Sequence, residues 1–129
     1  MTDFDVPTNH AGAYLAWDDP DWAPLARLTE GDDLVLDQFM WMGAIRLDDD
    51  RLVHAYKHCD TRCYLHLGED GTAFEYRGYS DLPYSPVPLG ITLREVFCLC
   101  RELGRPEEAA LRANEALIER HSVHPREVA

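Results

Sequence analysis

The chain has 129 residues, 46% apolar and 28% charged, and its 24 acids against 12 bases give a net charge of −12. That length is one domain with one core, and the apolar content excludes a disordered chain. The acidic balance argues against a broad nucleic-acid or anionic-membrane surface, because both partners are polyanions.

No apolar run approaches a membrane span, and the opening residues Met1, Thr2, Asp3, Phe4 and Asp5 are acidic where a signal peptide is basic and then apolar. Four cysteines are too sparse for a disulfide scaffold, so they read as thiols and the expected location is cytoplasmic. Charge is uneven. Residues 1–50 hold twelve acids and two bases, residues 51–77 are neutral and carry three of the six histidines, and residues 78–129 hold eight acids and six bases. The acidic first part reads as a solvated surface or as a dock for a basic partner.

In chain order, an irregular arm over 1–18 precedes a short helix over 20–29. Asp19 and Pro20 supply its cap and first turn, and Trp22, Leu25 and Leu28 make its apolar stripe. Gly31 ends it. Leu34 to Leu47, rich in aromatic and branched residues, reads as a long strand covered on both sides and bulged near Asp37 or Gly43; Asp48 to Asp50 are a turn. Trp17, Trp22, Trp41, Met40 and Met42 are expected in the core, or in a sticky patch if their strand is an edge.

A meander follows in 52–58, 63–67 and 72–76. Gly68 opposite Gly71 would pair Leu67 with Thr72 and Leu65 with Phe74. Three prolines between Pro83 and Pro88 favour an extended, polyproline-like crossover. Thr92 and Glu95 form a capping box ahead of Leu93, Val96, Phe97, Cys100 and Leu103; Gly104 stops that helix, and Pro106 starts another running to about Arg120. The tail over 122–129 is polar and reads as frayed.

The residues that draw attention are His54, Tyr56 and His58 facing Arg62, Tyr64 and His66. A three-residue hairpin loop would set His58 opposite Tyr64 and Tyr56 opposite His66, lining one sheet face with rings and charge-assisted donors for a small anionic ligand. A two-residue loop would slip the register and carry His54, Tyr56 and His58 toward the core. An ordinary solvated sheet face presents the same residue types. Cys59 and Cys63 would face each other at the hairpin end, but the histidines would point to the other face, so no metal site is expected. No Gly-x-Ser-x-Gly elbow, phosphate loop or dinucleotide fingerprint occurs, and no cofactor is implied.

The expected fold class is α+β, one domain over 1–129: a mostly antiparallel four-stranded meander sheet packed by a C-terminal helix hairpin and the short N-terminal helix. The expected function is a small acidic cytoplasmic module that binds a protein partner or a small anionic ligand without catalysis. The alternatives are a small enzyme using the His/Tyr/Arg face for acid–base chemistry on a phosphate or carboxylate substrate, and a self-associating structural protein, for example a homodimer.

Overall fold

Short connections between alternating segments favour pairing of chain neighbours, and here chain order and sheet order coincide. The computed structural model describes residues 20–47, 49–77 and 83–122, and the backbone alone of 11–14. Most of the irregular arm, Trp17, Asp48, residues 78–82 of the crossover and the tail from 123 lie outside the described residues. The strands are β1 (Ala11–Tyr14), β2 (Phe39–Leu47), β3 (Leu52–His58), β4 (Tyr64–Gly68), β5 (Ala73–Tyr76) and β6 (Tyr84–Val87), each antiparallel to the one before. The four-strand expectation is overturned. Besides the meander, β6 forms within the proline-rich stretch and β1 adds to β2 from the arm. The five strands β2 to β6 have described side chains.

Proline is compatible with β6 because β6 is an edge strand. Arg77 N–H donates to the Pro83 carbonyl at 2.7 Å, which sets the alternation of the β5–β6 ladder. Pro86, opposite Phe74, therefore occupies a position whose backbone nitrogen faces away from β5.

The helices are α1 (Ala23–Thr29), α2 (Asp33–Leu36), α3 (Leu89–Phe97), α4 (Cys100–Leu103) and α5 (Glu108–Arg120). Three expectations shift. The first turn of α1 is built by Asp21, whose Oδ1 accepts the Ala23 N–H, and by Pro24. Residues 34–36, read as the start of a strand, belong to the one helical turn of α2, because the Asp32 side chain accepts the Leu34 N–H. Helix α3 begins three residues before Thr92; no capping box forms, and Thr92 is buried. No helix among the described residues is long and apolar enough to cross a membrane.

Strand β2 is bulged between Trp41 and Gly43, as Gly43 permits with φ of 126°. The extra residue puts Phe39, Trp41 and Ala44 on the helix-covered face, opposite His58, Tyr56 and His54 respectively. The main core lies there: Leu25, Tyr56, Leu65, Leu67, Leu93, Val96 and Leu117 are all buried. A smaller core of Leu47, Val53, Phe74 and Tyr84 occupies the opposite face. Exposed ion pairs join Arg101 of α4 to Glu108 and Glu115 of α5, and Arg112 to Glu108 within α5.

Gly90 marks a close approach of α3 to the end of α5. A Cβ there would sit 2.6 Å from the backbone oxygen of His121. Gly90→Ala is expected to lower unfolding free energy by about 2 kcal/mol, because backbone on both sides must move; a urea midpoint indistinguishable from the parent would show that the helices are not held this closely.

Candidate binding site

The structure divides the six residues singled out by sequence into three environments. Pairing runs His54 with Leu67, Ala55 with His66, Tyr56 with Leu65 and Lys57 with Tyr64. The expected pairing of Tyr56 with His66 is thus wrong by one residue. His54, Tyr56 and His58 face the helices, whereas Tyr64 and His66 face the other side.

The cause is the turn. His58 N–H donates to the Cys63 carbonyl and Arg62 N–H to the His58 carbonyl, so the loop has four residues, Cys59 to Arg62, with Arg62 left-handed at φ 66°. His58 Nδ1 accepts the N–H groups of Asp60 and Thr61, both at 3.1 Å, so the imidazole does what an Asx side chain does in other turns. Thr61 Oγ1 ties the loop to α3 by donating to the Val96 carbonyl. Cys59 and Cys63 do not pair across the strands, because His58 is the residue opposite Cys63.

His58 is fully buried and belongs to a structural network. With Nδ1 accepting, Nε2 carries the proton and donates to Gln38 Oε1 at 2.7 Å. Gln38 and Asn114 exchange amide hydrogen bonds of 2.8 and 3.0 Å, and Gln38 Nε2 also donates to the Leu34 carbonyl. Every polar atom of Gln38 is satisfied, and the network ties β3, α2 and α5 together. Burial lowers the pKa of His58, partly offset by Asp60. Burial first, and Asp60 next, push the neighbouring Cys100 thiol up to about 11, which makes it inert as a nucleophile. Tyr56 donates to the Asp21 carbonyl at 2.7 Å, and burial, then the Asp21 charge, hold its pKa well above the ordinary phenol value.

Tyr64 and His66 lead elsewhere. Gly68 pairs with Thr72 around a loop closed by Gly71 (φ 92°), so Leu67 lies opposite Ala73 and His66 opposite Phe74. This register, too, is one residue from the expected one. It carries Phe74 and Tyr76 to the His66 face.

Pairing between β4 and β5 stops at His66 and Phe74, so the strands part toward Tyr64 and Tyr76. A cavity of about 650 Å³ opens at this gap, with Ile91, Thr92 and Val96 of α3 on one side and the rings of Tyr64, His66, Tyr76 and Tyr84 on the other. That volume suits a small molecule or one side chain. The rings form a continuous chain: Tyr64 stacks on His66 at 5.7 Å, His66 meets Tyr84 edge-on at 5.6 Å, and Tyr84 lies 4.8 Å from Tyr76.

The charged groups lining the cavity are the carboxylates Glu75 and Glu95. Glu75 is paired with Arg77 at 3.1 Å, and Glu95 has no ion pair among the described residues. Burial lowers the His66 pKa to about 4, so at neutral pH its ring is uncharged. Lys57 Nζ already lies 5.6 Å from the centre of the Tyr64 ring, a cation–π contact beside the site. Arg62 is exposed on its loop and does not line the cavity.

Sequence reasoning missed Phe74, Glu75, Tyr76, Tyr84 and Glu95. The aromatic alternation of β4 and β5 was the available signal, and it needed the correct register to be seen as one surface. No family model, no curated protein and no solved structure matches this chain.

Proposed function

We propose that this chain is a small acidic binding module of the cytoplasm, where its four free cysteines stay reduced, and that the β4–β5 cavity takes an organic cation of the quaternary-ammonium or methylated-amine class. The observation that carries the reading is a chain of electron-rich rings facing a cavity whose charged lining is carboxylate. Ring faces attract a weakly hydrated cation, and carboxylates add long-range attraction. With His66 neutral and Arg62 elsewhere, little in the cavity favours the anionic ligand expected from sequence. The cation is either free or carried on a partner protein's side chain.

Choline and its uncharged isostere 3,3-dimethylbutan-1-ol separate charge recognition from simple apolar filling. Choline is expected to bind roughly tenfold more tightly by calorimetry, and Tyr76→Ala or Glu95→Gln to remove most of that difference. Equal affinity for the two, or competition by inorganic phosphate, would sink the cation reading. A trimethyllysine peptide that binds more tightly than choline would identify the source as a protein.

A further inference from the structure

His54 presents a different feature on the helix-covered face. It is 97% buried, yet its Nε2 has no hydrogen-bond partner among the described residues. That atom points between two carboxylates, 3.8 Å from Asp21 Oδ2 and 3.9 Å from Glu69 Oε2. These distances are too long for direct hydrogen bonds, and all three donor atoms lie within 4.8 Å of one another. Tetrahedral ligands on a first-row divalent ion stand about 3.4 Å apart, given bonds of about 2.0–2.2 Å. Asp21 and Glu69 are 44% and 56% exposed at their side chains, so both have room to close the difference.

We propose that Asp21, His54 and Glu69 form a binding site for a first-row divalent transition metal such as zinc, with coordination positions open to solvent. One imidazole with two carboxylates is a borderline donor set that favours such an ion over calcium or magnesium. The site is partly built already. Asp21 Oδ1 is fixed by the Ala23 N–H, which leaves Oδ2 directed at His54, and Arg27 holds the Glu69 backbone through its carbonyl at 2.5 Å.

Two neighbours oppose the ion. The Arg27 charge lies close by. Trp41 Nε1–H, a donor only, approaches His54 Nδ1 at 3.3 Å, so without metal the ring proton sits on Nε2. Binding a metal at Nε2 moves that proton to Nδ1 through solvent, and the Trp41 hydrogen bond breaks. No net proton is released from the ring, and the indole loses its acceptor.

Cobalt(II) provides the test, because its visible spectrum reports coordination and thiolate ligation adds a near-ultraviolet band. The full chain is expected to bind one cobalt without the thiolate band and with a change in tryptophan fluorescence, and zinc is expected to displace it. Asp21→Asn, which keeps the Ala23 hydrogen bond, and Glu69→Gln are each expected to weaken binding at least about tenfold; both residues are at the surface and their loss leaves the core intact. Trp41→Phe is expected to tighten binding several-fold by removing the competing donor. Absence of binding at millimolar cobalt, a thiolate band, or unchanged affinity in both carboxylate variants would overturn the site. None of these outcomes bears on the choline measurement, which reports the β4–β5 cavity, whose lining contains none of these three residues.

Discussion

Replacing Gln38 with Leu is expected to cost about 4 kcal/mol of unfolding free energy, a large share of the roughly 5–15 kcal/mol available to a domain. The substitution keeps the volume at a buried position but removes four hydrogen bonds at once. It leaves the His58 Nε2 proton only the weak Cys100 Sγ contact at 3.8 Å and strands both ends of the Asn114 amide and the Leu34 carbonyl, and each buried orphan costs about 1–3 kcal/mol. Asn114→Leu is expected to cost less, about 2 kcal/mol, since it leaves Gln38 bonded to His58 and Leu34. The double variant should lose less than the sum, because each amide is the other's partner. Urea unfolding of the four proteins measures all of this; a Gln38→Leu loss below about 1 kcal/mol would mean that the network contributes nothing to specifying the fold.

Acidification is expected to remove up to about 3 kcal/mol of stability between pH 6.5 and pH 4. The His66 ring is neutral in the folded state down to about pH 4, whereas in the unfolded chain it titrates near 6.5. Over that interval the unfolded state binds more protons, so stability falls as pH falls and then levels off below the folded-state value. The lowered pKa of His58 acts in the same direction. His66→Phe keeps the ring against Tyr64 and Tyr84 and removes the titration, so its stability should vary less across the interval than the parent's. Parallel curves for parent and variant would place the acid sensitivity elsewhere. Choline binding should weaken over the lower end of the same range, as an imidazolium forms among the rings.

The α+β class, the antiparallel meander, the limits of β3 and the C-terminal helices were legible because they rest on local periodicity and on Gly and Pro stops. The candidate site was not, because it rests on parity. At the β3–β4 turn, nothing in the run His58, Cys59, Asp60, Thr61 announces that an imidazole will accept two backbone N–H groups and hold a four-residue loop. At the β4–β5 turn, Gly68 and Gly71 are compatible with two registers. Each slip is a single residue, and a single residue exchanges the faces of every side chain downstream. His54 and His58 therefore went to buried positions, and Phe74 and Tyr76 joined His66. The cleft also required Thr92, read as a cap, to be an interior helical residue. The strand at Tyr84 was hidden by prolines that only an edge tolerates. Asp21 and His54 are far apart in sequence and meet where the Tyr56 hydroxyl holds the Asp21 backbone against β3.

Along the outer side of β6, the edge of the sheet among the described residues, the outward-facing backbone positions are Tyr84 and Pro86, and the second offers no hydrogen to a newcomer. Pro88 follows immediately and ends the strand. An extra chain approaching this margin finds a template with half its donors missing, so growth of the sheet into fibrils is discouraged beside the binding cleft, and Pro86→Val should raise the propensity to form them.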